Sequence, residues 1–284
     1  MRELDSADDV AAACGDDSLC GWAAQRLPGP GRAWAAGSGE AVLVACPELS
    51  RRDRAVVWGE PAAAARLAGR VLPLLGPSYR LLGHGDLIPE LCRRLPELTA
   101  SHAFGWMDTE TGGRSAGPGA GGAAGVDAGA GVDADAGVDG TAGTDGTAGT
   151  DGGAGVAWLA SGDMAEVTAL LERAHPDSYA WPGMPGVRRW AGIRGGDGRL
   201  AAVAADAWSA PTVGFMSGVA VSGKSRRAGL GSRVCRFLAA ELVARHGRAA
   251  LMVDDWNDAA IRLYRQMGMA FRPIRAARTG PARG

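Results

Sequence analysis

The stretch that decides the fold reads VAVSGKSRRAGLGS and spans residues 219–232. An apolar run typical of a strand leads into a glycine-containing turn and then into the start of a helix. Such a junction leaves several backbone N–H groups unpaired and aimed at one point, where a phosphate can bind. Gly229 and Gly231 remove side chains where the backbone must approach an anion, and Arg226 and Arg227 add positive charge. The stretch predicts a phosphate-binding loop, although a glycine turn alone can simply begin a helix.

A second motif follows at residues 251–268, which read LMVDDWNDAAIRLYRQMG. Tyr264 comes seven residues after Asn257 and four after Ala260, so these side chains share one face of a helix. The small Ala260 leaves room for a thin ligand beside the tyrosine ring. An aromatic residue at this spacing can equally be part of a hydrophobic core.

The C-terminal part of the chain alternates strand and helix patterns around these motifs. The predicted order is β-α-β-β-β-α-β-α-β, with strands at 156–160, 188–193, 199–207, 212–221, 249–253 and 270–276 and helices at 163–174, 231–246 and 258–267. The N-terminal part repeats the later portion of that order, with strands at 34–36, 41–45, 54–58 and 79–82, helices at 61–75 and 87–95, and an apolar stretch at 103–107. Two lobes of related topology follow from this repetition.

The two lobes are separated by residues 113–155, which contain 16 Gly, 11 Ala and 6 Asp in 43 positions. Such a composition offers too little apolar surface to offset the entropy of ordering the backbone, and it predicts a disordered linker. The glycine and aspartate periodicity lacks the spacing of a calcium site. We therefore predict three parts, namely an N-terminal lobe at 1–112, a linker at 113–155 and a C-terminal domain at 156–284.

Charge is distributed unevenly, because the C-terminal part has 18 basic against 10 acidic residues in a chain with a net charge of −1. A basic domain favours an anionic partner such as a phosphate-bearing cofactor. The five cysteines form no C-x-x-C pair and no metal pattern, which predicts reduced thiols and no metal. Without an apolar leader or a run of about 18 apolar residues, we expect a soluble cytoplasmic protein without membrane contact.

The order of the two motifs identifies a family resemblance. Arg226-x-x-Gly229-x-Gly231 after a β-run resembles the acyl-CoA pyrophosphate loop of the GNAT superfamily of N-acetyltransferases, and the segment from Asn257 to Gly268 resembles that family's later helix. The resemblance covers about residues 156–284. It implies an α/β (α+β mixed sheet) acyl-CoA N-acyltransferase fold with a degenerate GNAT-like N-terminal lobe. A Rossmann or Walker A site is not indicated, because neither glycine motif is present.

The resemblance also implies roles for individual residues. Main-chain groups of the strand before the loop would pair with the pantetheine arm, and the N–H of Val219 would polarise the thioester carbonyl. Tyr264 would be the general acid for the departing thiolate, and Asn257 would contact the coenzyme near the start of its helix. The coenzyme-binding residues implied are Val219, Ala220, Val221, Arg226, Arg227, Ala228, Gly229, Leu230, Gly231, Ser232 and Asn257. The alternation of Val, Ala and Val is explained equally well by a buried strand.

The general base is not identified by the sequence. The strand before the loop, residues 212–221, contains no acidic residue. Asp206, Asp254, Asp255 and His175 are the remaining candidates, and each is better explained as a solvated surface or turn group. A chain of water molecules can also remove the proton.

Two further segments bear on the function. Residues 179–186 read YAWPGMPG and predict either a loop that covers the substrate or a packed connection. In the N-terminal lobe the strand at 54–58 is followed by Gly59 and Glu60, with neither a glycine doublet nor an arginine, so this lobe is not expected to bind CoA.

The leading hypothesis is an N-acetyltransferase that uses acetyl-CoA to modify a primary amine of a small molecule or peptide by direct attack. The alternative is a catalytically silent acyl-CoA-binding or regulatory protein. A nucleic-acid-binding domain is disfavoured, because aromatic residues are not interleaved with arginine. The acceptor and the oligomeric state are left open by the sequence.

Overall fold

The computed structural model describes residues 1–37, 39–109, 155–226 and 228–280. The predicted linker at 113–155 lies outside the described residues, apart from Gly155.

The two lobes share the order of their strands and later helices, but two helices follow the first strand of the N-terminal lobe and one follows that of the C-terminal lobe. The N-terminal lobe consists of β1 (Arg2–Leu4), α1 (Ala7–Cys14), α2 (Ser18–Ala23), β2 (Arg32–Ala36), β3 (Ala41–Leu49), β4 (Arg52–Gly59), α3 (Pro61–Leu75), β5 (Arg80–His84), α4 (Leu87–Arg94) and β6 (Leu98–Thr109). The C-terminal lobe consists of β7 (Ala157–Trp158), α5 (Met164–Ala174), β8 (Val187–Arg194), β9 (Leu200–Ala207), β10 (Gly214–Val221), α6 (Leu230–His246), β11 (Ala249–Asp254), α7 (Asp258–Gln266) and β12 (Met269–Thr279). The predicted α/β class and the related topology of the lobes are confirmed.

The described strands form one sheet of twelve, in the order β1-β2-β3-β4-β5-β12-β6-β11-β10-β9-β8-β7. The last strand of each lobe is exchanged, because β12 pairs with β5 of the N-terminal lobe and β6 pairs with β11 of the C-terminal lobe. The exchanged strands also pair with each other, antiparallel, from Met269 opposite Thr109 to Thr279 opposite Leu98. Each lobe is therefore completed by a strand from the other, which the sequence analysis did not predict.

Helices cover both faces of the sheet. We call the face packed against α1, α2 and α5 the front face and the face packed against α3, α4, α6 and α7 the back face. Alternate residues of one strand serve the two cores, as where Val203 packs on the front and Ala202 and Ala204 on the back. This arrangement explains the almost continuous apolar character of the strands.

A polar network joins the lobes on the front face. Arg272 of β12 donates to Asp17 Oδ2 at 2.6 Å and to Asp108 Oδ2 at 3.0 Å. The Ser18 hydroxyl donates to the same Asp108 oxygen at 2.5 Å, and His84 Nε2 lies 3.6 Å from Asp17 Oδ2. The network thus ties α2, β5, β6 and β12 together at the strand exchange.

The predicted elements agree with the structure within a few residues at most ends, and α3 agrees at both ends. The sequence analysis missed β1, α1 and α2, which are too short to show a clear hydrophobic period. Their caps are legible afterwards, since Ser6 accepts from Asp9 N and Asp17 accepts from Leu19 N. Within the described residues, no helix is long and apolar enough to cross a membrane, and no cluster of three metal-ligating side chains occurs.

Candidate functional site

The central feature of the C-terminal lobe is a wedge between β10 and β11. These parallel strands pair only where Gly214 and Phe215 face Ala249 and Ala250, as far as the described residues show. Beyond Phe215, β10 continues beside β9 and β11 continues beside β6. The diverging strands leave an edge of β10 that β11 does not pair with, and an extended ligand can form main-chain hydrogen bonds there.

A bulge in β10 lies inside this wedge. The register with β9 shifts between Ser217 and Ala220, and Gly218 between them has a φ of +63°. A Cβ at Gly218 would lie 2.6 Å from the Trp190 ring and 3.2 Å from Ala180 Cβ. Glycine is therefore required by both backbone conformation and space.

His175 lies against the same bulge from the front face. It follows α5 directly, and its Nδ1 lies 3.2 Å from the carbonyl oxygen of Val219. A carbonyl oxygen accepts hydrogen bonds only, so Nδ1 carries the proton in this contact. The lone pair of Nε2 then remains available to accept a proton.

The predicted phosphate loop follows β10 as the sequence suggests. A 3-10 turn at Gly223–Ser225 is closed by Ser225 N donating to Ser222 O at 2.9 Å, and the two serine hydroxyls are 2.9 Å apart. Gly229 then begins α6 with a φ of +68°. Within the described part of the chain, no side chain caps this helix. The N–H groups of its first turn, including those of Leu230 and Ser232, have no intrahelical acceptor.

The structure gives different reasons for glycine at the two glycine positions of the loop. A Cβ at Gly231 would lie 2.8 Å from Val221 Cγ2, so packing of the helix on β10 requires glycine there. At Gly229 nothing lies within 4 Å of the point that a Cβ would occupy, and the positive φ is the constraint. Lys224 lies in the turn and Arg226 follows it, whereas the predicted Arg227 lies outside the described residues.

Asn257 has an assigned structural role at the start of α7. Its Oδ1 accepts from Ala260 N at 3.1 Å, which caps the helix. The backbone N–H of Asn257 donates to Asp254 O at 3.0 Å and closes the turn after β11. The predicted contact of Asn257 with a coenzyme stays a prediction.

Tyr264 reaches the back face of the wedge and is buried. It is 7% exposed and shares the back-face core with Cys235 of α6 and with Met216 of β10. Burial raises the pKa of Tyr264 well above its usual value, and the adjacent Cys235 thiol adds to the shift. The phenol is thus held protonated, as a proton donor requires.

Among the four candidate bases, His175 contacts the β10 bulge through Val219 O, and Asp206 pairs with Met216 just before the bulge. Asp206 was expected at the surface, and this expectation is wrong, because the side chain is fully buried in β9. It accepts from the Ser209 hydroxyl at 2.6 Å and from Arg189 Nε at 3.2 Å. Asp254 and Asp255 are exposed at the end of β11, as expected of turn residues.

The 179–186 segment is largely anchored. Trp181 donates its indole N–H to Ser178 O at 2.7 Å, and a Cβ at Gly186 would lie 2.3 Å from the Trp208 ring. Tyr179 is the exception, since it is 42% exposed and its ring lies 5.6 Å from the guanidinium carbon of Arg51 in the N-terminal lobe. These contacts favour the packed connection over a mobile cover.

The comparisons with known proteins agree with this geometry. Residues 191–277 match the family described as FR47-like protein. A GCN5-related N-acetyltransferase from Kribbella flavida superposes with a TM-score of 0.52 at 19% identity, covering 95% of this chain and 96% of that chain. This likeness shows that the chain has the fold of GCN5-related N-acetyltransferases.

Other solved structures are similar to a lesser degree. A Drosophila protein gives a TM-score of 0.50 at 13% identity over 89% of this chain and 80% of that chain. A GCN5-related N-acetyltransferase from Sphaerobacter thermophilus gives 0.49 at 14% identity, with 94% and 88% covered. No curated protein matches the chain. At such identities the likeness establishes the fold, and the activity has to be argued from the site.

Proposed function

We propose that this protein is an acyl-CoA-dependent N-acyltransferase that moves an acetyl group from acetyl-CoA to a primary amine of a small molecule or peptide. The observation that carries the proposal is the wedge between β10 and β11, which leads to the uncapped start of α6. An extended thioester arm and a pyrophosphate need these two features side by side.

The residues around the wedge fit such a co-substrate. The unpaired edge of β10, at Val219, Ala220 and Val221, would hold the pantetheine arm through main-chain groups. The first-turn N–H groups from Gly229 to Ser232 would hold the pyrophosphate, with charge from Lys224 and Arg226 nearby. Arg227, Ala228 and Asn257 belong to the same proposed binding set.

Bound acetyl-CoA supplies a thioester whose acyl carbon an amine can attack. His175 on the front face is available to take the amine proton through Nε2, since Nδ1 donates to Val219 O. Tyr264 on the back face is held protonated and would donate to the leaving sulfur. The backbone N–H of Val219 lies on the bulged strand and would polarise the acyl carbonyl. The amine therefore approaches from the front face.

A second candidate is a catalytically silent acyl-CoA-binding protein. The burial of Tyr264 against Cys235 favours it, because a hydroxyl engaged with a thiol is withdrawn from a substrate. No acidic residue of β10 replaces the missing base. Both candidates bind acyl-CoA at the same site, and only the first transfers the acyl group to an acceptor.

The setting of the reaction is also proposed. All five cysteines are free thiols, which supports a reducing, cytoplasmic location. We retain the division into an N-terminal lobe at 1–112, a linker at 113–155 and a transferase domain at 156–284. No nucleic acid, membrane or metal enters the proposal.

The test is mass-spectrometric detection of acetyl transfer from acetyl-CoA to a panel of amines and peptides, with calorimetric titration of CoA on the same preparation. Binding with transfer is expected. Binding without transfer to any acceptor would favour the silent protein, and failure of CoA to bind would overturn both. His175→Gln should lower turnover about 100-fold or more, while the exposed His102→Gln serves as the matched control.

A further inference from the structure

Arg54 is a buried cation in the middle of the N-terminal lobe. It lies on β4, opposite Cys46 of β3 and Arg80 of β5, and is 6% exposed. It faces the front of the sheet, because Val56 two residues later packs in the front-face core. A guanidinium in this position has lost most of its hydration.

No carboxylate among the described residues compensates this charge. Its Nε donates to Leu49 O at 3.1 Å, and no protein acceptor for its terminal nitrogens is found in the described part of the protein. These nitrogens are not among the fully enclosed, unpaired side-chain atoms, so a ligand from solvent can reach them. The nearby acids of the β3–β4 hairpin are engaged elsewhere, since Glu48 pairs with Arg26 at 3.3 Å and Asp53 accepts from Glu48 N at 3.0 Å.

The groups beside Arg54 are neutral or cationic. Burial raises the pKa of the Cys46 thiol to about 12, so it carries no charge at neutral pH. Burial lowers the pKa of Arg54 to about 10, with Arg52 adding to the decrease and the Tyr179 hydroxyl opposing it. Arg54 is still cationic at neutral pH. Buried charges in proteins are normally paired, and the described residues supply no anion for this guanidinium.

A short run of neighbouring residues connects Arg54 to the proposed reaction centre. The Tyr179 ring lies 5.6 Å from the guanidinium carbon of Arg51, which precedes Arg54 by three residues on the same hairpin. The residue after Tyr179, Ala180, is one of two that limit the space at Gly218 in the β10 bulge, together with Trp190. Arg54 and the bulge therefore lie on the same face of the sheet, on either side of one short loop, which is the face from which the amine approaches.

We propose that Arg54 binds an anionic oxygen group, a carboxylate or a phosphate, carried by the acceptor. The acceptor is then an amine that also bears an acid, such as an amino acid or a phosphorylated amine. This inference rests on the proposed function, since it names the substrate class of that site. The planar guanidinium suits both groups, because two parallel N–H donors match two oxygens of either.

The alternative explanation is structural. Arg54 would then serve only to hold Leu49 O at the hairpin, where Glu48, Ser50 and Arg51 have positive φ angles. In that case the protein would bind acidic and neutral acceptors equally well. A difference in affinity between them therefore separates the two explanations.

The experiment is calorimetric titration of the full-length protein, saturated with CoA, with two matched pairs of probes. L-alanine against L-alaninamide tests the carboxylate, and phosphoethanolamine against ethanolamine tests the phosphate. We expect the acidic member of one pair to bind about tenfold tighter or more. Arg54→Gln should abolish that preference, and Arg52→Gln, an exposed change two residues away, should retain it. Arg54→Lys should keep part of it if the glutamine variant does not fold.

Equal binding within both pairs, or a preference that survives Arg54→Gln, would overturn the inference. The readout is binding, so it is independent of turnover. A preference for the acidic probe that depends on Arg54, in a protein that transfers no acetyl group, would uphold the anion site and remove the proposed activity.

Discussion

The two lobes carry the same strand-to-helix junction and fill it differently. In the N-terminal lobe, β4 leads into α3 through Glu60, whose carboxylate accepts from Ala62 N at 3.0 Å and Ala63 N at 2.8 Å. In the C-terminal lobe, β10 leads into α6 through Gly229, which has no side chain to offer. The N-terminal junction is capped by its own carboxylate, whereas the C-terminal junction has no side-chain cap, which is why we propose that it binds an anion.

The strands beside these junctions differ in the same sense. A Cβ at Gly83 of β5 would lie 3.0 Å from Val57 O, so β4 and β5 stay close past their paired residues. In the C-terminal lobe the bulge at Gly218 turns β10 away from β11. The two lobes therefore differ at this point, because β4 and β5 stay together whereas β10 and β11 separate.

The largest effect expected concerns chemistry in the C-terminal lobe, which we call the open lobe because its strand-to-helix junction has no side-chain cap; the N-terminal lobe, capped by Glu60, is the closed lobe. Counted from the helix N-cap, Tyr264 of α7 corresponds to Arg93 of α4, so the closed lobe has no phenol at this position. Tyr264→Phe keeps the ring packing and removes only the proton donor. Turnover should fall about 100-fold, while the dissociation constant of acetyl-CoA hardly changes.

Steady-state kinetics with chemistry shown to be rate-limiting will check this change, with Tyr79→Phe in the N-terminal lobe as the control. Wild-type turnover in the Tyr264 variant would indicate that this tyrosine only packs in the hydrophobic core and that water serves as the acid.

The next largest effect is on stability and concerns the polar network that joins the lobes on the front face. Burial by itself would raise the pKa of Asp17, but His84 and Arg272 outweigh it and hold the pKa well below its usual value. Asp17→Asn preserves the cap of α2 and removes the charge facing Arg272. We expect a loss of about 2 kcal/mol in the free energy of unfolding at neutral pH.

The direction of the Asp17 pKa shift determines how its contribution to stability changes with pH. Because the folded pKa of Asp17 is lowered, its stabilisation is complete above the unfolded value and is lost as pH falls through the folded pKa. The difference between wild type and variant in urea unfolding should therefore shrink as pH falls below about 4. A difference that stays constant down to acidic pH would mean that the carboxylate charge is not what joins the lobes.

Much of this comparison was predictable from local sequence. Glycine turns, strand alternation and helical spacing gave the order of most elements, and the junction at Glu60, which lacks a glycine doublet and an arginine, predicted that the N-terminal lobe does not bind CoA. These signals are local, since they depend on backbone conformation and spacing within one segment.

The features that were missed depend on distant pairings. The exchange of β6 and β12 leaves no local trace, because β5 and β11 are apolar edges that could accept either strand. His175 was named without a reason to prefer it, since its contact with Val219 spans 44 residues. The burial of Arg54 likewise follows from β3 and β5 on both sides of it, which a charged residue in isolation does not reveal.

A smaller effect is expected at the open junction itself. Gly229→Asp places a carboxylate where the first-turn N–H groups of α6 point, which makes the C-terminal junction resemble the N-terminal one. CoA should bind at least about tenfold more weakly in calorimetry, with the fold retained.

Gly247→Asp is the matched control, because Gly247 ends the same helix with a φ of +85° and nothing within 4 Å of its Cβ position. Equal CoA binding by wild type and the Gly229 variant would remove the loop from the proposed site. An equal loss in both variants would indicate backbone strain in place of anion competition.

The smallest effect tests the closed junction. Hydrogen bonds from Ala62 N and Ala63 N lower the pKa of Glu60, so its charged form is favoured in the folded state. Glu60→Gln leaves one oxygen to cap α3 and removes the charge near the helix N-terminus. A small decrease in melting temperature is expected at neutral pH, with acetyl transfer and CoA affinity unchanged, because this lobe is not expected to bind CoA. The stabilisation from Glu60 is present above the unfolded pKa and disappears as pH falls through the lowered folded value, so the melting temperatures of wild type and variant should converge in acid.

Glu172→Gln on the exposed surface of α5 is the control and should show no such convergence. Should Glu60→Gln instead gain affinity for CoA or for inorganic phosphate, the closed junction would prove to be a second anion site held shut by its own glutamate, and the difference between the lobes would reduce to this one side chain.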